Sequence, residues 1–324
     1  MPGLGLSDTQ IGPRHWWPAD ATFAIDFASG IAMRNRVICP LAEAMSLTRP
    51  SAKLARDSTG RWHSFAANVP AITDLGLSIE PERTNLVLAN TANSGAGFGP
   101  NNTAIRTNLA PGDSPSGDAF GKLVTQGAGA SDALYIGGFT GLITAGSTHA
   151  VSAAFKYSGS TRYLRIVLSD NVSVVRECWV DLLEKVASNT SPGSTARLTP
   201  LADDWLGLEL IAANFPNTTG SGAMGIISVA SIGNTVRQSG SYKMWGGQLE
   251  RGQTTATSPI LTTGMAVTRV ADDAILHLPV GSQSVTFDLT DGLSQTLSTQ
   301  GGNYTIPVDL QRSVVRRVTS LVGS

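Results

Sequence analysis

Few side chains in this sequence are grouped as chemistry would need them. The densest knot lies in "GLSIEPERTNLVLAN", residues 76–90, where Glu80, Pro81, Glu82 and Arg83 stand between two apolar stretches. A glycosidase sets two carboxyls across a cleft, roughly 5–10 Å apart. Two acids separated by a proline sit instead at an interrupted strand. Arg83 beside them offers a carboxylate a bidentate partner. The stretch therefore predicts a structural ion-pair corner, not an acid–base pair.

Other candidates are weaker. Gly112-Asp113-Ser114 has the residue order of a serine-esterase block, but no buried strand precedes it and Asp273 to His277 has the wrong spacing for its partner. "GDSPSGDAF" reads better as a turn. His15, His63, His149 and His277 are scattered, with none at metal-ligand spacing from another. "GAGFG" at 95–99 lacks the strand-to-helix setting of a phosphate loop. Oxygen-rich pairs at Asp203-Asp204 and Asp272-Asp273 could contribute to a Ca²⁺ site. Among the six tryptophans, Trp205 and Trp245 read as core. Tyr135, Tyr157, Tyr163 and Trp179 share strand faces with polar residues, the setting in which flat rings stack on sugars.

The elements that must position these residues are strands. The 324 residues include 35 glycines, and only 15% are charged, with a net charge of −1. Such a chain suits short strands and tight turns and lacks the clustered basic surface of a nucleic-acid binder. The basic cluster Arg312 to Arg317 reads as solvated strand faces. Cys39 and Cys178 are too few for a disulfide framework and are expected reduced. No apolar run reaches the roughly 18 residues of a membrane span. Residues 1–20 lack the pattern of a secretory leader, so the expectation is synthesis in the cytoplasm, with any exit made inside an assembled particle.

Period-2 alternation is repeated from 86 to about 270, as in "HAVSAAFKYS", "TRYLRIVLS" and "VVRECWVDL". Turn-rich stretches such as "SNTSPGS" separate the strands. The pattern predicts an all-β fold, an antiparallel β-sandwich. Residues 1–75 read as an irregular arm with short strands around the turn Asp57-Ser58-Thr59-Gly60, too poor in apolar residues for a core of their own. Residues 76–274 read as the sandwich. Residues 275–324 read as a small C-terminal β unit bounded at Pro279 and Gly281, with a hairpin at Asp291-Gly292.

Three blocks carry a family resemblance. "GLSIEPERTNLVLAN" resembles the "GLLIEEARTNLL" block of tailed-bacteriophage structural proteins. "YKMWGGQLERGQTTATSPILTTGMAVTRVADD" (242–273) is similar to that family's closing segment, and "VTFDLTDGLSQTL…VVRRV" resembles the β unit that often follows. The resemblance covers roughly residues 50–320. It implies a carbohydrate-binding-like jelly roll on a virion or gene transfer agent particle: a head spike, fibre or minor tail protein. Glu80, Glu82, Arg83 and Asn85 match the first block. Trp245, Gln248 and Glu250, then Thr268, Arg269 and Asp272, match the closing segment, and all of these residues together with those of the first block are expected to fasten the first and last strands of the sandwich together. The family brings no catalytic set, so a non-enzymatic receptor-binding role is expected, with a connector or decoration protein as alternative and a depolymerase less favoured. The implied partners are other particle proteins, a bacterial polysaccharide such as capsule, and further copies of the chain, most simply a trimer; no nucleic acid or membrane is implied. Trp16 and Trp17 in "RHWWPAD" are the expected attachment to the particle.

Overall fold

A computed structural model describes residues 16–88, 90–91, 104–129, 134–140, 143–170, 175–188, 190–213, 215 and 221–322. They form an all-β structure of antiparallel strands, and the one α-helix among them is the single turn Leu41–Ala44. Two apolar cores organise the strands.

The larger core occupies the middle of the chain. A six-stranded sheet runs in the order Ile105–Asn108, Lys122–Gln126, Gly240–Arg251, His149–Tyr157, Leu206–Ala212, Ser194–Pro200. A five-stranded sheet packs on it in the order Leu134–Thr140, Ser221–Val229, Tyr163–Ser169, Val175–Asp181, Val186–Ser188. Val151, Ala153 and Phe155 of the first sheet share one buried cluster with Leu164, Ile166, Leu168, Cys178 and Val180 of the second. These are the faces that the alternation predicts. Each fully buried large side chain contributes about 1.5–3 kcal/mol. The thiol of Cys178 is pushed up to about 12 by burial, and both cysteines are free.

One irregularity of this sandwich matters for function. In "WGGQLE" the register against His149–Tyr157 shifts between Ser152 and Ala154. Gly246 takes a φ of +66° at that point, a conformation open to glycine. The extra residue reverses which side chains face the core. Tyr242 and Met244 point inward before the bulge, and Leu249 does so after it. Trp245 faces the other side of the sheet by plain alternation, and the bulge delivers Gln248 and Glu250 to that side as well.

The smaller core joins the two ends of the chain. Phe23–Asp26 pairs with Ile31–Arg34 on one edge and with the C-terminal strand Val314–Val322 on the other. That last strand also pairs with Ser282–Leu289 and Gly76–Ser78. A three-stranded sheet, Gly302–Thr305, Asp273–Leu278 and Met45–Thr48, contributes Leu276, Leu278 and Met45 to the same cluster as Phe23, Ile25, Phe287 and Val318. The arm expected to end at 75 and the unit expected to begin at 275 thus form a single end module. Neither segment has enough apolar residues alone, and pooling them makes a core. Pro279 and Gly281 lie in a turn inside this module, with the Ser282 amide donating to the Pro279 carbonyl at 3.3 Å. Asp291 and Gly292 both have positive φ, 64° and 73°, as their turn requires.

The sandwich is therefore inserted into the end module. Its entering and leaving segments run side by side, with Arg83–Asn85 paired to Val267–Arg269 and the Asp272 amide donating to the Glu80 carbonyl at 3.0 Å.

Candidate functional site

At that crossing the ion pairs are sealed from water. Asp272 receives Arg49 Nη1 at 2.8 Å and Lys53 Nζ at 2.5 Å, and all three side chains are inaccessible. Glu80 lies 3.2 Å from Lys53 Nζ and 3.3 Å from Arg269 Nη1, and it accepts the Ser258 hydroxyl at 2.7 Å. Burial opposes the charge on Glu80, but Arg269, Lys53 and the two Ser258 bonds outweigh it and hold the carboxyl at about 2. The cluster joins residues more than 200 positions apart, such as Arg49 and Asp272.

The acids of this fastener also solve a backbone problem. Residues 256–262 return from the sandwich without a neighbouring strand, and buried amides need acceptors. Glu209 accepts from the Ala256 amide at 2.8 Å, Glu250 from Thr257 at 2.9 Å and Glu80 from Ser258 at 2.8 Å. Gln248 Oε1 then accepts from Ile260 at 2.6 Å and Asn90 Oδ1 from Thr262 at 2.8 Å. Asn85 donates to the Ile260 carbonyl at 2.8 Å and accepts from the Leu249 amide at 3.1 Å. Burial pushes Glu250 up from its ordinary value, against the bonds from Thr257. Thr84 and Thr268 join hydroxyls across the paired crossing at 2.8 Å.

Two expected members behave differently. Glu82 is exposed, and Arg83 donates to its own neighbour's carbonyl, that of Glu82, at 2.6 Å. The ion partners of Glu80 are Lys53 and Arg269 instead. Proline at 81 turns the chain, so Glu80 faces inward while Glu82 faces water. Trp245 is buried on the outer side of the six-stranded sheet with Leu54 and Trp205, and its indole donates to Asp118 at 3.1 Å.

Of the four aromatics expected at a sugar site, the three whose side chains are described do not share one surface. Tyr157 packs against the sandwich core. Tyr163 and Trp179 lie on the outer face of the five-stranded sheet with Val167, Ile227 and Val229. Trp179 is only 5% exposed, because residues around Asn234 cover it and accept its indole N–H at 2.8 Å. Arg162 stands over the Tyr163 ring. Tyr135 belongs to the strand Leu134–Thr140, but its side chain lies outside the described residues, as do His15 and the "GAGFG" segment. Trp16 and Trp17 meet edge to face and pack on Ala21, Ala24 and Met33 of their own module, with Arg317 over Trp16.

Three of the four acids considered for calcium are engaged by cations, and Asp273 is exposed. Asp203 bonds Arg61 at 2.6 Å, Asp204 bonds Lys185 at 3.1 Å, and Asp272 is sealed in the fastener. Among the described residues no group of three or more His, Cys, Asp or Glu side chains could hold a metal ion. In the Gly112-Asp113-Ser114 turn, Ser114 is buried and donates to the Asp118 carbonyl at 2.9 Å.

Beside the fastener runs an open groove of about 1000 Å³ between the outer face of the six-stranded sheet and the end module. Ser152, Arg197 and Glu209 line it from the sheet, because their neighbours Val151, Ala196 and Leu208 face the core. The hairpin Lys53–Arg56 with Trp62–Phe65 supplies Arg56 and Trp62. Its tip is fixed by Asp57, which accepts from the Thr59 and Arg61 amides at 2.9 Å each. Gly60 at the tip, with φ +86°, lies so close to Leu201 that an added Cβ would sit 2.6 Å from the Leu201 Cα. Residues 288–294 and 312–317 close the far side.

Sequence reasoning identified one half of the fastener, Glu80, Arg269 and Asp272. It missed Arg49, Lys53 and Ser258, and all of the groove. No period-2 pattern distinguishes those residues, and only long-range packing brings them together. No protein-family model matches the chain, and no curated protein matches it. Among the described residues no helix is long and apolar enough to cross a membrane.

Proposed function

We propose that this is a non-enzymatic surface protein of a phage-like particle, a spike or fibre subunit, that binds a bacterial surface polysaccharide such as capsule in the groove between its two modules. The open groove carries the reading. It is open and lined by charged, polar and apolar side chains, with the half-buried indole of Trp62 in its wall, and such a surface suits a chain of sugars. The strand order supports the jelly-roll form of the sandwich. Lys122–Gln126, Gly240–Arg251, His149–Tyr157 and Leu206–Ala212 pack against Leu134–Thr140, Ser221–Val229, Tyr163–Ser169 and Val175–Asp181, an interleaving expected of two Greek keys. Two of the three sequence blocks resembling phage structural proteins meet at the fastener, which supports the particle setting. Copies on one particle, most simply as a trimer, would add avidity to a weak site.

A connector reading has one observation in its favour. The edge strand Val37–Cys39 leaves Val37 65% and Ile38 56% exposed, and an unpaired apolar edge suits strand pairing with another particle protein. Binding of the purified protein to host cells with and without capsule separates the readings. Capsule-dependent binding without release of reducing ends is expected. Release of reducing ends would indicate a depolymerase, and equal binding to both cell types would favour the connector.

A further inference from the structure

We infer that the groove selects an anionic saccharide, one bearing carboxylate or phosphate groups, and that Arg56 and Arg197 receive the anion. The inference rests on the groove being the sugar site. Its ground is an imbalance in pairing. Each acid lining the groove already has a partner. Asp74 is bonded by the Ser58 amide at 2.9 Å and by the Ser58 hydroxyl. Glu209 holds the Ala256 amide, Asp288 accepts from the Ser294 hydroxyl at 2.7 Å, and Asp291 lies 3.3 Å from Arg312. Glu80 is sealed with Lys53 and Arg269.

The cations are not balanced in the same way. Arg56 is half-buried at the end of its strand. Among the described residues no carboxylate lies within ion-pair distance of it, and no acceptor bonds its guanidinium. Its neighbour Asp57 is held by His63 at 2.7 Å and by the turn amides. Arg197 lines the same groove, 71% exposed, and makes only a long ion pair with Glu209 at 3.7 Å. Burial, and then the like charge of Arg197, lower the pKa of Arg56, yet a guanidinium stays charged at neutral pH. Two guanidiniums thus face one groove with donors to spare. Their planar forks match a carboxylate or a phosphate bidentately, and an anion between them would relieve their repulsion. A neutral sugar offers only hydroxyls to the same donors.

The test is affinity electrophoresis of the intact protein through gels containing polysaccharide. One arm uses uronic-acid capsular polysaccharides, native and carboxyl-reduced. The other uses a phosphomonoester-bearing mannan before and after phosphatase. The native anionic form in at least one arm is expected to bind about tenfold or more tighter than its neutralised form, and that arm names the anion. Arg56→Gln and Arg197→Gln should each weaken binding to the anionic form about tenfold, with Arg56→Lys losing less. Melting curves of the variants should match the parent, and exposed Arg197 serves as the variant that cannot act through folding. Equal binding to native and neutralised forms, or no effect of either glutamine variant, would overturn the inference and leave the sugar site standing. Absence of binding to every form would remove the sugar-binding reading itself, and the inference with it.

Discussion

The fastener and the groove lie side by side and are built from the same residue types, arginines and carboxylates, yet they differ in environment and pairing. In the fastener Arg49, Lys53 and Arg269 are buried and matched to Asp272 and Glu80. In the groove Arg56 has no carboxylate at ion-pair distance among the described residues, and exposed Arg197 has only the long pair to Glu209, whose other oxygen holds the Ala256 amide. A buried ion must be paired, because its desolvation cost is several kcal/mol. An accessible one can wait for a partner, because water solvates it meanwhile. Pairing, not residue type, separates the structural charges from those available to a ligand.

The largest effect is expected from removing one partner in the sealed cluster. Asp272→Ala leaves Arg49 and Lys53 uncompensated and should cost about 3–5 kcal/mol, read as a lower urea midpoint. A loss below about 1 kcal/mol would mean that water reaches the crossing and that the contrast with the groove is false.

Acid should act on the fastener next. The carboxyl of Glu80 is held at about 2 in the folded protein against an ordinary 4.5. Its contribution is therefore present above about 4.5 and is lost as pH falls toward 2, amounting to on the order of 3 kcal/mol. The stability difference between the parent and Glu80→Gln, followed by thermal melts, should shrink across that window. A difference independent of pH would show that the charge on Glu80 contributes nothing.

Gly60 links the two regions, because its hairpin carries both Lys53 and Arg56. Gly60→Ala would press a Cβ on Leu201 in a backbone conformation that alanine disfavours. It is expected to cost roughly 1–3 kcal/mol and to weaken polysaccharide binding together with stability. Stability unchanged by this substitution would mean that the hairpin tip is not seated on the sheet.

The smallest effect on folding is expected in the groove. Arg56→Gln and Arg197→Gln should each leave unfolding free energy within about 0.5 kcal/mol of the parent. A loss of several kcal/mol for either would make it part of the structural network and erase the distinction drawn between the two regions.

Much of this was legible in local pattern. Val151, Phe155, Leu164, Ile166 and Val180 announce their buried faces by alternation, and they are found in the core. The turn at Asp291-Gly292 declares itself through residues that tolerate positive φ. Glu80, Arg269 and Asp272 were legible as a fastener through the sequence blocks that hold them. Trp179 was misleading for a physical reason. Its strand face is the outer one, as expected, but residues near Asn234, far along the chain, fold over it. What Trp16 and Trp17 pack on was not legible, because the sheet they cover is completed by the C-terminal strand.

What the sequence determined by itself is the all-β character, the strand faces and the turns, since these depend on side-chain alternation and backbone preference within a few residues. Tertiary structure alone decided that the two ends of the chain share one core and that Lys53 and Arg49 meet Asp272. It also decided that Arg56 and Arg197 line one groove, Arg56 with no described carboxylate at ion-pair distance and Arg197 with only Glu209 at 3.7 Å. Those outcomes depend on which distant surfaces come together, and on which charges burial then forces to pair.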